Sequence, residues 1–329
     1  MAFGVVHSAQ EWVARFGNSG KRSVVTIGNF DGVHLGHQRI LHTVLDQARR
    51  SDALAAMLTF YPHPAKVLRP AEAPALLQTL EQRLAAINAT GIDAVLVLRF
   101  DAELANVSPE DFVRRFLLDS LAVQAVLVGG NFRFGHRGAG DVTLLGELGR
   151  QWGFAVEIVP PVIERGCVVS STAIRAAIRE GRVDEARNML GRPYALEGQI
   201  RTGTGQGRKL VVPTLNLATD QEVLPKTGVY ATEAVVAGKS YRAATNVGMR
   251  PTFDGARITI ESHLLDFSEN LTSGKLEVRF WHRLRDERKF SGPPELREQV
   301  LKDIEQAKEY FLSSAHVTLN RIRDTSPEV

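Results

Sequence analysis

The stretch Ser23 to Leu41, SVVTIGNFDGVHLGHQRIL, constrains this chain more than any other. Ser23 to Ile27 is a β-branched run that reads as a buried strand. A turn punctuated by Gly28, Gly32 and Gly36 follows, and amphipathic residues begin near Gln38. Strand, glycine loop and helix in that order deliver backbone N–H groups to the positive end of a helix, where a nucleotide phosphate can sit. The glycines remove Cβ atoms where backbone must bend or approach a ligand. His34 and His37 are three apart, so one helical turn aims both at the same phosphate chain. Taken singly, a G-x-x-G is an ordinary α/β loop with surface histidines. Glycine, acid and paired histidines together at a strand-to-helix junction favour the phosphate site.

The same alternation continues to about residue 182. Strands are predicted at 23–28, 53–60, 94–98, 123–128 and 154–159, with helical segments near 37–50, 79–90, 109–119 and 141–152. Ser108-Pro109-Glu110-Asp111 supplies an N-cap, a proline at the first helical position and acids in the first turn. Such a pattern predicts an α/β doubly wound parallel sheet with ligands at the carboxyl ends of its strands. From about Glu197 the period changes to short alternating runs at 197–201, 229–237, 241–247, 257–264 and 275–283, separated by turn residues. That predicts a small antiparallel β-barrel. Pro293 to Ser313 follows as an amphipathic C-terminal helix with Leu296, Val300, Ile304, Ala307 and Phe311 on one face. The stretch 171–191 reads as two short connecting helices ended by Gly181 and Gly191. The division is therefore 1–182 for the wound-sheet domain, 183–316 for the barrel and its helix, and 317–329 for a loose tail.

Length and composition set the outer limits. At 329 residues each half is large enough to bury a core of its own. A formal charge of +3 suits anionic small molecules and does not argue for nucleic acid. A barrel that bound RNA would carry aromatics interleaved with basic residues on its surface, and this half has few. Cys167 is the sole cysteine, which rules out an internal disulfide or a cysteine-based zinc site. No apolar run reaches membrane-spanning length and no signal-peptide core is present, so the expectation is a cytoplasmic protein without membrane partners. Nothing in the sequence signals an oligomeric state.

Two further clusters follow predicted strands in the first half. Thr59-Phe60-Tyr61-Pro62-His63-Pro64 uses two prolines to fix its backbone and present His63. Gly129-Gly130-Asn131-Phe132-Arg133-Phe134-Gly135 sets an amide among aromatic rings, which suits a planar ligand, although aromatic core packing gives the same pattern. Ser170-Ser171-Thr172-Ala173-Ile174-Arg175 supplies hydroxyls at a helix start and an arginine fork one turn on, able to hold a triphosphate. Two glycine stretches are decoys. Before Gly20-Lys21, Arg15 stands where a P-loop needs its first glycine, and Arg208 occupies the last glycine position of Gly203-Thr-Gly-Gln-Gly-Arg. His34 with His37 has no third metal ligand nearby in sequence.

His34-Leu35-Gly36-His37 resembles the H-x-G-H signature of nucleotidyltransferases. With F-Y-P-H-P, G-G-N-F-R-F-G and S-S-T-A-I-R in order, residues 1–182 resemble the FAD synthetase (FMN adenylyltransferase) module of bacterial bifunctional flavin enzymes. The resemblance implies that Gly28, Phe30, Asp31, Gly32, His34, Gly36, His37, Asn131, Ser171, Thr172 and Arg175 handle ATP and its leaving pyrophosphate. It makes His34 and His37 the catalytic pair, with His63 and Phe132 as flavin-site candidates. For Asp31, holding Mg²⁺ and bracing the loop are both open.

In the second half, Gly207-Arg208-Lys209 lies in a glycine-rich basic loop that ends in Pro213-Thr214-Leu215-Asn216. Thr214 and Asn216 are two apart and share a face in extended backbone, where a hydroxyl and an amide oxygen can complete a Mg²⁺ shell supplied by ATP. Glu261 and His263 share a strand face in the same way. These residues, with G-V-Y-A (228–231), N-V-G-M-R-P-T-F (246–253), E-S-H-L-L-D-F (261–267) and L-R-D-E-R-K-F (284–290), resemble riboflavin kinase over about 187–313. That implies Mg²⁺–ATP binding by Gly207, Arg208, Lys209, Thr214 and Asn216, and flavin-site roles for Arg250 and Arg285. Glu261 then accepts the proton of the riboflavin 5′-hydroxyl.

Val211 stands where the family usually has glycine. A β-branched residue resists positive φ, so the alternative to a bifunctional enzyme making FMN and FAD from riboflavin and ATP is FAD synthetase alone. The resemblance thus places one triphosphate pocket at the edge of the sheet and a second at the mouth of the barrel.

Overall fold

A computed structural model describes residues 3–201, 213–252, 255–267, 269 and 271–323. The chain divides into two compact units, Met1–Ser171 and Thr172–Val329.

The first unit carries a six-stranded sheet made of β1 (Gly4–Val6), β2 (Ser23–Ile27), β3 (Leu54–Tyr61), β4 (Ala94–Arg99), β5 (Val123–Gly129) and β6 (Ala155–Val159). All pairings are parallel and the order is β1-β4-β3-β2-β5-β6. Chain order runs outward from β2 through β3 and β4, then returns to the other side of β2 with β5. The carboxyl ends of β2, β3 and β5 therefore lie side by side where the winding reverses, which is the binding crevice of a doubly wound sheet. The sheet is buried on both faces, as continuous apolar strands require. Val25, Ile27, Leu58 and Val126 belong to one core cluster with Phe112, Leu145 and Leu148. Their neighbours Val24, Met57, Val95 and Leu127 belong to the other, with Leu41, Val44, Leu45 and Ile87 from helices Leu35–Arg50 and Leu80–Asn88. The expected strands all form, within a residue or so of their predicted ends. Strand β1 and helix Ala9–Phe16 lie outside the sequence expectation, because a three-residue strand is too short to show a period.

A two-stranded hairpin, β7 (Ile163–Glu164) and β8 (Cys167–Val168), completes the unit. Beyond it, helices Ser171–Arg179 and Val183–Leu190 form as expected, with Gly181 and Gly191 left-handed at φ 80° and 71°.

The second unit is a closed antiparallel barrel of β9 (Tyr194–Arg201), β10 (Leu215–Ala218), β11 (Gly228–Val236), β12 (Lys239–Thr252), β13 (Gly255–Leu264) and β14 (Lys275–Arg285). Short β10 closes it by pairing with both β9 and β13. Inward positions are fully buried, and three of them are polar: Thr232, Thr245 and Ser262 link hydroxyl to hydroxyl at 2.6 and 2.8 Å. Outward, Ala231 and Ala244 are small enough to seat the C-terminal helix, which packs Ile304, Ala307 and Phe311 onto them beside Leu265.

That helix runs from Pro293 to Arg323, ten residues past the expected Ser313. Residues 317–323 of the expected loose tail are therefore helical, and residues 324–329 lie outside the described residues. No glycine or proline falls between Pro294 and Pro327 to stop the helix, which explains the extension.

Phe311 is the largest side chain the helix buries in this cluster. Truncating it to alanine should cost about 3–5 kcal/mol, read as a lowered urea midpoint for the barrel unit. An unshifted midpoint would show that the helix is not part of the barrel's core.

Candidate active sites

In the first unit the Gly28–His34 loop joins β2 to helix Leu35–Arg50. Phe30, Gly32 and Val33 have φ of 49°, 89° and 38°, so the loop folds back through left-handed backbone. Only at Gly32 is that conformation free of strain, and the two side-chain-bearing residues must be held in place. Asp31 does the holding. It is 4% exposed; both carboxylate oxygens accept from the Leu77 amide at 3.0 Å, and one accepts from Gln78 N–H at 3.2 Å. This geometry supports the bracing role for Asp31. Ser171 Oγ donates to the Asp31 carbonyl at 2.9 Å, so the start of the S-S-T-A-I-R segment is tied to the loop.

His34 caps the helix: its Nδ1 accepts from His37 N–H at 3.3 Å. The His34 and His37 rings stack 3.6 Å apart, and Phe30 stacks on His37 at 4.4 Å. The His34 ring lies over Gly36, where a Cβ would come within 3.1 Å of it. Gly36 therefore makes room for the histidine ring. His37 keeps some surface, but its Nδ1 is buried without a hydrogen-bond partner among the described residues. Loss of water around the ring, then the nearby His34 and Arg83, hold its pKa well below the usual 6.5. His37 is neutral at physiological pH.

Beside the loop, a cleft of about 1080 Å³ is lined by Gly28, Asn29, Phe60, Phe112, Asn131 and Phe132, among others. The three loops that follow β2, β3 and β5 thus meet here. Phe134 turns into the core at 6% exposure, whereas Asn131 and Phe132 face the cleft, with Phe132 stacked on Phe134 at 5.5 Å. His63 caps the short helix Pro64–Leu68, accepting from Ala65 N–H at 3.2 Å, while Pro64 and Leu68 of that helix line the cleft. Thr172 and Arg175 lie on helix Ser171–Arg179, which belongs to the second unit from Thr172 onward.

In the barrel, Asn216 stands opposite Glu261, Glu261 opposite Asn246, Asn246 opposite Val229, and Val229 opposite Arg285. Residues directly opposite share a face, so this row crosses four strand pairs on one side of the barrel wall. Glu261, Asn246, Val229 and Arg285, with Thr214 and His263, line a cavity of about 350 Å³ closed by Leu296, Val300, Asp303 and Ile304. Ala244, two residues from Asn246, belongs to the outer face under the helix. The pocket therefore lies between the outer wall and the C-terminal helix, and not at the barrel mouth as expected from sequence. Side chains such as Tyr230, Thr232, Thr245, Ser262 and Phe280 are buried at 0% exposure in the barrel unit.

His263 Nδ1 is 2.8 Å from the Pro213 carbonyl, which anchors the segment bearing Thr214 and Asn216. Arg285 lines the cavity, but its guanidinium is engaged: Nε and one terminal nitrogen meet the two oxygens of Asp303 at 2.7 Å each. Asp303 is 3% exposed and also accepts from Gln299 at 2.8 Å. Arg285 thus fastens the helix that closes the pocket. Gly207, Arg208, Lys209 and Val211 lie outside the described residues, as does the side chain of Arg250.

Sequence reasoning missed Arg83, which donates to the carbonyls of Asn29 at 2.6 Å and Phe60 at 3.2 Å. The signal was an arginine among Leu80, Leu84 and Ile87 on the apolar face of its helix. Asp303 was missed for the same reason, lying beside Ile304 and Ala307 on a face read only for its hydrophobes.

Residues 17–173 match the family model for FAD synthetase, and residues 190–311 match that for riboflavin kinase. A bifunctional riboflavin kinase/FMN adenylyltransferase of Buchnera aphidicola is 34% identical over 293 residues, spanning 88% of this chain and 94% of that protein. The protein of the same description from Escherichia coli strain K12 is 35% identical over 289 residues, spanning 88% of this chain and 92% of its own. Among solved structures, a Streptococcus pneumoniae chain described as a macrolide-efflux protein aligns with a TM-score of 0.84 at 27% identity, over 94% of this chain and 99% of that one. Among the described residues here, no helix is long and apolar enough to cross a membrane.

The low pKa of His37 has a consequence for stability. The unfolded ring takes up a proton near pH 6.5 and the folded ring only well below it. Between those values the unfolded state binds more protons, so stability is present above pH 6.5 and is lost as pH falls. Denaturation midpoints taken at about pH 7.5 and about pH 5 should drop more for the wild type than for His37→Gln. Equal drops would mean that His37 titrates normally.

Proposed function

The chain belongs to the bifunctional riboflavin kinase/FMN adenylyltransferase family, and within that activity we propose one catalytic site in each unit. It phosphorylates riboflavin to FMN with ATP and adenylylates FMN to FAD with release of pyrophosphate.

FAD formation is assigned to the loop and cleft at the carboxyl edge of the parallel sheet. No protein nucleophile is required. An oxygen of the FMN phosphate attacks the α-phosphorus of ATP in line, pyrophosphate leaves, and catalysis consists of positioning and charge stabilisation. Loop amides and the amino end of helix Leu35–Arg50 receive the phosphates. Because His34 Nδ1 accepts the His37 amide, Nε2 is the ring nitrogen placed to carry a proton toward the ligand. There it donates to a phosphate oxygen, with His37 stacked behind it. Ser171 joins this site through its bond to Asp31. Thr172 and Arg175 keep the role in pyrophosphate binding that the sequence resemblance implies.

FMN formation is assigned to the cavity on the barrel's outer wall. Glu261 accepts the proton of the riboflavin 5′-hydroxyl as that oxygen attacks the γ-phosphate of ATP, and ADP leaves. Thr214 and Asn216 offer neutral oxygen donors beside Glu261, a set that suits a hard cation already carrying phosphate oxygens. Mg²⁺ bound with ATP would there neutralise charge on the transferred phosphoryl group. The dependence of both steps on ATP supports a cytoplasmic location.

The observation that carries this division is that Thr214, Asn246 and Glu261 line one cavity wholly within the barrel unit, with Asn216 opposite Glu261 in the strand register. The phosphate loop and its bracing residues, in turn, lie wholly within the first unit. Time courses from riboflavin and from FMN, each with Mg²⁺–ATP, test it. Glu261→Gln should abolish FMN formation and leave FMN-to-FAD conversion near normal, and His34→Ala should do the reverse. Parallel loss of both products in either variant would refute separate sites.

A further inference from the structure

Arg83 has no part in the chemistry assigned above, yet its surroundings are unusual for an arginine. It is 5% exposed on the apolar side of helix Leu80–Asn88. Its two terminal nitrogens donate to the carbonyls of Asn29 and Phe60, and its Nε is buried with no partner among the described residues. Asn29 opens the phosphate loop, and Phe60 lies at the carboxyl end of the adjacent strand β3. No carboxylate lies within ion-pair distance of Arg83 among the described residues. Asp31 contributes charge from further off, while its oxygens hold the Leu77 and Gln78 amides. Burial pushes the guanidinium below its ordinary pKa, which marks how poorly the site compensates the charge. A neutral side chain would fill this space at lower cost, so the fold alone does not require a cation here.

We propose that Arg83 is a positioning residue for adenylyl transfer. By gripping the Asn29 and Phe60 carbonyls it fixes the phosphate loop against the end of β3, and it sets a buried positive charge beneath the loop that receives the polyphosphate. This rests on the assignment of that loop to FAD formation. The fork matters because one planar group reaches two carbonyls, one in the phosphate loop and one in β3, which a single ammonium cannot reproduce. The charge matters because negative charge moves to pyrophosphate as the bond to the α-phosphorus breaks, and a buried cation acts on it with little screening. The same charge disfavours protonation of His37, which keeps the stacked histidine pair from accumulating positive charge of its own.

The test uses the full chain with FMN and Mg²⁺–ATP, with riboflavin phosphorylation in the same preparations as the control for folding. Arg83→Met should lower kcat for FAD formation by about 10-fold to 100-fold, since small misplacement of reacting groups has effects of this size. It should also raise KM for ATP, with riboflavin phosphorylation unchanged. Arg83→Lys should return KM for ATP to near the wild-type value while kcat stays at least about threefold low. A folded Arg83→Met enzyme with wild-type kcat overturns the proposal. Should the methionine variant not fold, the lysine variant decides: a wild-type kcat there removes the need for the fork and sinks the idea equally. His34→Ala run alongside separates two failures. If it abolishes FAD formation while both Arg83 variants are fully active, only this inference fails. If FAD formation survives it, the assignment of the loop itself fails.

Discussion

A buried carboxylate holds the first catalytic loop in shape. Asp31 would be a costly charge to bury alone, but its amide partners at Leu77 and Gln78 and the bond from Ser171 to its carbonyl convert that liability into a fixed geometry. Charge-assisted hydrogen bonds of this kind are worth about 1.5–3 kcal/mol each. That is enough to offset the strain of Phe30 and Val33 in left-handed backbone, which costs of order 1–3 kcal/mol per residue. With the loop pinned, the helix that follows can start at His34, and the stacked rings of Phe30, His37 and His34 take up one arrangement. The loop is thus prepared before any phosphate arrives.

The barrel solves the same problem differently. Its interior positions are buried, and the pocket lies on the outer wall, where alternation along each strand puts a second set of residues in register. A wall alone is a flat surface. The C-terminal helix turns it into a pocket, held there by apolar contacts at Ile304, Ala307 and Phe311 and by the paired Arg285 and Asp303. The small residues Ala231 and Ala244 let the helix approach, and the larger distance left near Glu261 becomes the cavity.

Much of this was legible in the sequence because it depends on period and on local chemistry. Parallel strands declare themselves as apolar runs and barrel strands as alternations, so most strands of both sheets were readable, while the short β1 and β10 were not. The histidine pair and the Thr214–Asn216 pair were legible from their spacing, and Glu261 from the resemblance of its surroundings to riboflavin kinase. What escaped depends on contacts far apart in the chain. Asp31 could be read as a metal ligand or as a brace, and only the amides of residues 77 and 78 distinguish them. Arg285 was read only as a flavin-site candidate, and its pairing with Asp303, eighteen positions on, could not be read from either residue alone. The barrel pocket was misplaced to the mouth because alternation says which residues share a face, not which face the helix will cover.

The buried hydroxyls of Thr232, Thr245 and Ser262 bear on this last point. Thr245 and Ser262 sit one residue away from, and on the opposite side of the wall to, Asn246 and Glu261. Were β13 to slide by a single step, Ser262 would be drawn away from the Thr245 hydroxyl it meets in the dry interior, and the glutamate would be driven in there. The three hydroxyls therefore act as a ratchet pawl for strand alignment, penalising every misregistered barrel before a substrate is ever encountered.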